Sequence, residues 1–308
     1  MLGDERRWVV KGFMPQTIGW VGLGLMGQPM ALNLLRAGHV VRAYARRPEP
    51  LAAFVEAGGV RCDAPRSVAE GADIVFTIVS DTPDVEEVIL GERGVLEGAH
   101  RGSIVVDMTT ADANAIRVIA ATLAEQGVEM LDAPVSGGVR GATDGTLSIM
   151  VGGALSVFER VRPLFDVLGA NVVHIGDHGA GQITKACNQV VVSQAIAAIG
   201  EAFILAKANG VDPHRVREAL LGGFAGSRIL DSHGDRMLRG DYAPGFMTRL
   251  HKKDMRIVMN AAEAAGVALP STALVTQLIN AAVRHGMGDD DSISIFRLQK
   301  LLSSIGDD

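Results

Sequence analysis

The sequence has almost no cysteine and no clusters of positive charge. Only two of its 308 residues are cysteines, Cys62 and Cys187, which gives no disulfide framework and suits a reducing compartment. No run of Lys or Arg exceeds a pair, and the formal net charge is −6. We therefore expect no nucleic acid and no anionic membrane surface as a partner, and a small molecule as the ligand.

The spacings of common metal and hydrolase sites are also absent from the sequence. Its eight histidines form no H-E-x-x-H or paired Cys/His pattern. His174 and His178 are four residues apart, but they stand on either side of a glycine-containing turn. No G-x-S-x-G segment is present either. We therefore expect no bound metal and no serine-hydrolase chemistry.

Residues 1–15 are predicted to be an N-terminal extension. The Arg6-Arg7 pair faintly resembles an export signal, but no apolar segment or small-residue cleavage site follows it. We therefore expect a cytoplasmic protein.

The whole chain is 48% hydrophobic, and the part beyond the extension is long enough for two domains. Residues 16–177 alternate Val- and Ile-rich strands with helical segments, a pattern typical of a doubly wound α/β (Rossmann) domain with a mostly parallel sheet. Residues 178–308 show helical patterns only. We predict that they form an all-α domain built on a long helix, and that the two domains share this helix and a cleft.

The long helix is predicted from Gln182 to Asn209, a stretch without proline. It is apolar almost all round, which predicts that the helix and its Cys187 are buried. Asn188, Gln189 and other polar residues interrupt it too often for a membrane span. So long an apolar helix in a wholly helical domain favours a homodimer or homotetramer over a monomer.

A glycine-rich loop lies between the first predicted strand, TIGWV, and the first predicted helix. Gly22, Gly24 and Gly27 have the G-x-G-x-x-G spacing, with Leu23 and Met26 between them. The first glycine permits a tight turn, the second lets the backbone approach a pyrophosphate, and the third lets helix and strand pack closely. The loop predicts a dinucleotide site in residues 16–177.

The end of the second predicted strand, VVRAY, indicates which dinucleotide binds. NAD sites usually place an acidic residue there, whereas this sequence has Ala45 followed by Arg46 and Arg47. A guanidinium can hold a 2′-phosphate that a carboxylate would repel. The sequence favours NADP(H), with NAD(H) as second choice, unless the two arginines are ordinary surface residues.

Ligands of such sheets bind at the carboxyl ends of the strands. The residues predicted to lie there are Val79, Ser80, Thr109, Thr110, Ser136, Gly137 and Gly138. The last three offer a hydroxyl and closely spaced N–H groups, which either bind a carboxylate or simply form a turn.

Lys185 lies in the first turns of the long helix, with Asn188 on the same face. Burying a lysine is costly unless its ammonium is used, and the alternative is an ammonium that reaches solvent or pairs with an acid. Beside a nicotinamide, an ammonium can protonate a carbonyl oxygen as hydride reaches the carbon. We predict Lys185 as general acid/base and Asn188 as the residue that orients substrate or lysine.

From about Thr17 to Leu302 the chain resembles the β-hydroxyacid dehydrogenase family. The resemblance lies in GLGLMGQPMALNL, DAPVSGG at 132–138, GAGQITKACNQ at 179–189 and HKKD at 251–254. It implies a Rossmann domain, an all-α domain that forms the subunit interface, and Lys185 as the catalytic acid/base. It also implies that Ser136, Gly137 and Gly138 hold the substrate carboxylate, that Asn188 assists, and that Lys253 reaches cofactor and substrate. The chain departs from many members at Gln189, where a second Asn is common, and at Ile293, where His is common.

Within this family, GTLSIMVGG and GGFAGSRILDSHGDRM followed by PGF resemble the members that reduce tartronate semialdehyde to D-glycerate. That reaction is the expectation, with a small carboxylate-bearing aldehyde or hydroxyacid as substrate in any case. The alternatives keep the chemistry and act on 3-hydroxyisobutyrate, succinic semialdehyde or glyoxylate. A non-catalytic dinucleotide-binding scaffold and imine reduction are disfavoured, because members that abandoned dehydrogenation are expected to have lost this lysine.

Overall fold

The computed structural model describes residues 15–306, so nearly all of the predicted N-terminal extension lies outside the described residues. The chain divides into two compact units, Met1–Lys185 and Ala186–Asp308. The first combines a sheet with helices and the second is helical. This confirms the predicted fold class, a Rossmann-type α/β domain followed by an all-α domain.

The first unit is built on a nine-stranded sheet of order β3-β2-β1-β4-β5-β6-β8-β7, with β9 paired to β8. The strands are β1 Thr17–Val21, β2 Val40–Tyr44, β3 Val60–Arg61, β4 Ile74–Thr77, β5 Ile104–Asp107, β6 Glu129–Asp132, β7 Val135–Ser136, β8 Leu147–Gly152 and β9 Gly169–Gly176. Strands β1 to β6 are all parallel, whereas β8 runs antiparallel to β6. The sheet is therefore mostly parallel, as the sequence predicts.

Helices cover both faces of this sheet. They are α1 Gly27–Arg36, α2 Pro48–Glu56, α3 Pro65–Ala69, α4 Thr82–Leu90, α5 Val95–Gly98, α6 Ala113–Glu125, α7 Gly138–Asp144 and α8 Leu155–Leu168. Successive strand residues point to opposite faces. Phe76 belongs to one buried cluster, with Met30 of α1, and its neighbour Val75 belongs to the other, with Ile116 of α6. Strands buried on both faces explain the continuous Val and Ile runs.

The sequence of the segment 128–138 has the pattern of one strand, but the structure divides it into two strands. β6 and β7 both pair antiparallel with β8, through Asp132 opposite Gly152 and Ser136 opposite Ser148. Pro134, which has no N–H to give to a strand partner, separates them. The chain thereby continues past the carboxyl end of β6 and places Ser136 beyond that edge of the sheet.

The second unit contains helices only among its described residues. α9, Ala180–Ala208, begins in the first unit and continues into the second, and it is followed by α10 Pro213–Leu221, α11 Arg228–Leu238, α12 Thr248–Ala264, α13 Pro270–Ala282 and α14 Ile295–Leu302. A π-helical turn, Val283–Met287, and a 3-10 turn, Ser292–Ser294, precede α14. The core includes Ile196, Phe203, Met255 and Ile279.

The prediction that α9 is buried all round is wrong for one of its faces. Val191 is 65% and Leu205 67% exposed, and Cys187 is exposed as well. In the part of the chain that the structure describes, α9 is the one helix whose length and apolar character would suffice to cross a membrane. Core helices pass the same test, and Ile196 and Phe203 of α9 lie in the core of the helical unit.

Candidate functional site

The glycine loop is shaped by two close backbone approaches. Gly22 has a φ of +104°, and a Cβ on it would lie 2.1 Å from the carbonyl oxygen of Ile78. A Cβ on Gly27 would lie 2.1 Å from the carbonyl oxygen of Gly22. A Cβ on Gly24, by contrast, would meet no atom within 4 Å. Gly22 and Gly27 therefore close the turn, while the exposed Gly24 leaves open space beside it.

The first turn of α1 is suited to an anion. Met26 is the N-cap residue and makes no side-chain capping bond, and no acidic residue lies in the first turn. Leu23, 2% exposed, anchors the loop in the core. Helix N-terminal N–H groups attract phosphate oxygens. The loop residues thus fit the pyrophosphate of a dinucleotide, with the open side of Gly24 as the place of approach.

The carboxyl ends of β4 and β5 are tied together by a buried acid. Thr77 donates its hydroxyl to Asp107 Oδ1 (2.7 Å), and the Thr109 N–H points to the same oxygen at 3.3 Å. Val79 N–H then donates to Thr109 Oγ1 (3.0 Å). Burial raises the pKa of Asp107 to about 7, although these hydrogen bonds oppose the rise. The network brings Val79 and Thr109 together at the predicted edge.

The start of α9 is held by the end of β6. Asp132 accepts the N–H of Gly179 (2.7 Å) at one oxygen and that of Gln182 (3.0 Å) at the other. Burial raises the pKa of Asp132, and these two N–H donors counteract it. A Cβ on Gly181 would lie 2.4 Å from the carbonyl oxygen of Met150. The first turn of α9 therefore packs directly on strand backbone.

Gln182 attaches the same turn to the end of β5. Its Nε2 donates to the Thr109 carbonyl (2.7 Å), and its Oε1 accepts the Ala111 N–H (3.0 Å). Lys185 follows three residues later on α9 and is 8% exposed. The lysine is therefore buried rather than extended into solvent, and it stands on a turn fixed to the carboxyl edge of the sheet.

Ser136, Gly137 and Gly138 lie where β7 ends and α7 begins. Ser136 is half-buried and the two glycines are exposed. Gly137 and Gly138 have φ values of +138° and +62°, a conformation that favours glycine. A Cβ on Gly138 would meet no atom within 4 Å. The two glycines are therefore exposed, with open space beside Gly138, which is compatible with the predicted anion nest.

Arg46 and Arg47 are exposed and lie one residue beyond the end of β2, after Ala45. Arg46 Nη1 lies 3.3 Å from Asp84 Oδ1 of α4, with 79% of the arginine side chain exposed. Arg47 is the N-cap residue of α2. Ser80 is exposed and Thr110 is half-buried, each one residue beyond the Val79–Thr109 contact.

The remaining predicted residues, Asn188 and Lys253, lie in the helical unit and are linked there. Asn188 Nδ2 donates to Gln189 Oε1 (2.8 Å), and Gln189 Nε2 donates to Asp254 Oδ2 (2.7 Å). Lys253 Nζ lies 2.8 Å from Asp254 Oδ1. Gln189 and Asp254 are 3% and 2% exposed. A chain of polar contacts thus runs from α9 to α12.

Sequence reasoning missed three residues that organise these contacts: Asp132, Gln182 and Asp254. Each stands inside a motif that the sequence displays, DAPVSGG, GAGQITK or HKKD. The available signal was a carboxylate or amide side chain within such a motif to which the sequence reasoning gave no role. Among residues 15–306, no group of three or more His, Cys, Asp or Glu side chains could hold a metal ion.

Two family models match the two parts of the chain. The NAD binding domain of 6-phosphogluconate dehydrogenase matches residues 17–176, and the NAD-binding domain of NADP-dependent 3-hydroxyisobutyrate dehydrogenase matches residues 179–299. The first match is the region of the glycine loop and the sheet. The second is the region of α9 and the helices after it.

The chain is similar to characterised proteins over nearly its whole length. It is 43% identical to 2-hydroxy-3-oxopropionate reductase of Escherichia coli K12, over 93% of this chain and 98% of that protein. It is 35% identical to 3-hydroxyisobutyrate dehydrogenase of Pseudomonas aeruginosa, over 92% and 97%. A solved 3-hydroxyisobutyrate dehydrogenase of Mycobacterium tuberculosis, described with L-serine, superposes with a TM-score of 0.85 at 31% identity, over 93% and 100%. The chain therefore belongs to the β-hydroxyacid dehydrogenase family, whose members are NAD(P)-dependent oxidoreductases of the 3-hydroxyisobutyrate dehydrogenase type.

Proposed function

We propose that the protein reduces tartronate semialdehyde (2-hydroxy-3-oxopropanoate) to D-glycerate, reversibly and with NADPH. The observation that carries the proposal is the placement of Lys185. Its ammonium-bearing side chain is buried, on a helical turn that Asp132 and Gln182 attach to the strand ends. The 43% identity to a 2-hydroxy-3-oxopropionate reductase supports this substrate over the others.

In this proposal the nicotinamide, when bound, supplies the hydride. Lys185 Nζ gives its proton to the substrate oxygen that gains negative charge, and takes the proton back in the oxidative direction. The N–H groups of Ser136, Gly137 and Gly138 hold the substrate carboxylate, since they form an open turn beyond the sheet edge. Asn188 orients the substrate or the lysine, and Lys253 binds cofactor and substrate. The last two roles rest on the family resemblance.

NADPH is proposed over NADH because of the end of β2. Ala45 stands where a carboxylate would hold a ribose 2′-hydroxyl, and Arg46 and Arg47 are both exposed next to it. The contact of Arg46 with Asp84 competes with a 2′-phosphate only weakly, because an ion pair this exposed contributes little. A dianionic phosphate offers the guanidinium a stronger, bidentate partner.

The second candidate is oxidation of 3-hydroxyisobutyrate or of a similar small hydroxyacid such as serine. It is favoured by the two 3-hydroxyisobutyrate dehydrogenases at 35% and 31% identity. The chemistry at Lys185 would be the same. The two candidates differ only in which substrate the side chains around the non-reacting part of the molecule would favour.

The proposal includes a cytoplasmic location and a homodimer or homotetramer. Both cysteines are free thiols, which suits a reducing compartment. In the helical unit, Val191, Leu205, Leu274 and Leu301 are each more than 60% exposed, an amount of apolar surface that suits association with a second copy. Light scattering on the purified protein and fractionation of cells test these two points.

The deciding experiment measures nicotinamide absorbance with a panel of substrates. Tartronate semialdehyde, succinic semialdehyde and glyoxylate are offered with NADPH or NADH, and D-glycerate, 3-hydroxyisobutyrate and L-serine with the oxidised cofactors. We expect the highest kcat/KM for tartronate semialdehyde with NADPH, by about tenfold or more over the next substrate. A higher kcat/KM for 3-hydroxyisobutyrate would favour the second candidate. No turnover with any member would contradict both.

A further inference from the structure

The polar chain in the helical unit ends at a group that can only accept hydrogen bonds. Asp254 is 2% exposed and paired with the ammonium of Lys253, 2.8 Å from Oδ1. Its other oxygen, Oδ2, receives Gln189 Nε2 at 2.7 Å. An ionised carboxylate has no proton to donate. Gln189 must therefore turn its NH2 group, and not its carbonyl, towards Asp254.

The orientation of the Gln189 amide in turn determines the orientation of the Asn188 amide. Because Gln189 Nε2 faces Asp254, Gln189 Oε1 faces Asn188 and accepts from Asn188 Nδ2 (2.8 Å). The Asn188 NH2 group is then engaged with Gln189, so its Oδ1 is the atom turned away from the chain. In an isolated asparagine the two orientations of the amide would be nearly equivalent. Here the carboxylate distinguishes them.

We infer that Asp254 is a positioning residue that acts through Gln189 and fixes the orientation of the Asn188 amide. Asn188 thereby presents a carbonyl oxygen, a hydrogen-bond acceptor, to an O–H or N–H donor of the substrate or of Lys185. The inference rests on the proposed function, in which Asn188 takes part. It adds the reason why a buried acid stands beside Lys253, and it assigns a direction to the Asn188 contact.

The length of Gln189 is necessary for this arrangement. An asparagine at this position would be one methylene shorter, and would fall about 1.5 Å short of the present 2.7 Å contact with Asp254. The chain carries Gln where many family members carry Asn. We therefore expect the relay from Asp254 to be a property of this chain and of those relatives that share the Gln.

The test reverses the polarity of the relay. Asp254→Asn lets residue 254 offer either a carbonyl or an NH2 group, so both orientations of the Asn188 amide become accessible. Gln189→Glu places two carboxylates together. In the double variant, Glu at 189 accepts from Asn188 on one side and from the new amide at 254 on the other. The original orientation of Asn188 is then restored.

We expect each single variant to lose about tenfold or more in kcat/KM for the semialdehyde, and the double variant to recover to within about threefold of wild type. The melting temperature is measured on the same variants. Asp235→Asn, the same change at an exposed carboxylate paired with Arg239, is the matched control and keeps full activity. If Asp254 had only a structural role, the losses in kcat/KM of the two single variants would multiply in the double variant, and they would follow the fall in melting temperature.

A second readout needs no turnover. In ¹⁵N-labelled full-length protein, the side-chain amide of Asn188 exchanges slowly with solvent in the wild type, faster in Asp254→Asn, and slowly again in the double variant. Losses that multiply in the double variant, or an exchange rate indifferent to residue 254, would overturn the inference. An enzyme that turns over no member of the substrate panel but shows the slow–fast–slow exchange pattern would refute the proposed function and retain the relay.

Discussion

The two units hold their candidate functional groups in different ways. In the sheet unit these groups are mostly backbone atoms, fixed by positions that admit no Cβ, such as Gly22 and Gly27. In the helical unit they are side chains, fixed by the buried contacts between Gln189 and Asp254. Backbone geometry is dictated by local sequence spacing, whereas a side-chain relay depends on residues far apart in the chain. The first arrangement tolerates no Cβ at Gly22 or Gly27, and the second tolerates no reversed hydrogen bond.

The largest effect is expected at Asp132, because its buried side chain holds two backbone N–H groups in place. Asp132→Ala leaves the N–H groups of Gly179 and Gln182 without their acceptor. At about 1–3 kcal/mol for each buried unsatisfied donor, the free energy of unfolding should fall by several kcal/mol, and kcat should fall with it. Chemical denaturation and steady-state kinetics measure both.

Asp112→Ala is the matched control for this change. Asp112 also accepts two backbone N–H groups, from Asn114 and Ala115, but at the more exposed start of α6. Its loss should cost about 1 kcal/mol and leave kcat unchanged. If both variants lost the same unfolding free energy and the same kcat, the hydrogen bonds of Asp132 to the start of α9 would be no more important than an ordinary helix cap.

The next largest effect separates two glycines of one loop. Gly27→Ala would put a Cβ 2.1 Å from a backbone carbonyl oxygen, so we expect about 1–3 kcal/mol of destabilisation and poor NADPH binding. Gly24→Ala meets no protein atom, so it should keep the melting temperature and weaken NADPH binding alone. Calorimetry and a cofactor fluorescence titration distinguish them. Unchanged NADPH affinity in Gly24→Ala would contradict the prediction that this loop binds the pyrophosphate.

A side chain in the sheet unit provides the third comparison. Arg46→Glu should raise KM for NADPH by about 10- to 100-fold, the loss of one charge-assisted contact, and should change KM for NADH much less. Initial rates with both cofactors decide this. Arg47→Glu tests whether the neighbouring arginine shares the role. Equal changes for NADPH and NADH would contradict the NADP assignment.

The smallest effect concerns pH. Asp107, with a pKa raised to about 7 by burial, keeps its proton in the folded state up to near neutrality, while the unfolded chain loses it near pH 4. Its contribution to stability is therefore full below pH 4 and declines as pH rises to 7. Relative to wild type, Asp107→Asn should gain about 1–2 kcal/mol between pH 6 and pH 8. A difference that does not vary with pH in denaturation curves would argue against a protonated Asp107.

The sequence predicts most of the sheet unit for a physical reason. Runs such as IVF and IVV must be buried on both faces, and the glycine spacing has few other uses, so strands, loop and fold class follow directly. The break at Pro134 was missed, although a proline cannot continue a paired strand. What the pattern could not show is that Asp132 accepts the N–H of Gly179, 47 residues later, at the start of α9.

The helical unit was harder to predict. The start of α12 at Thr248 has no side-chain cap, and a helix start of this kind leaves little trace in the sequence. The burial of α9 was overestimated, because an apolar face that stays exposed has the same sequence pattern as one that is covered. The hydrogen bond between Gln189 and Asp254 joins residues 65 apart, and no local sequence pattern predicts it.

The most direct measurement of the central claim compares Lys185→Ala with Lys252→Ala, an exposed lysine, in the same two assays. We predict that Lys185→Ala binds NADPH with wild-type affinity and loses about 10²- to 10⁴-fold in kcat for the best semialdehyde, while Lys252→Ala loses neither. Near-normal turnover by Lys185→Ala, with NADPH still bound, would contradict the assignment of this buried ammonium as the proton donor.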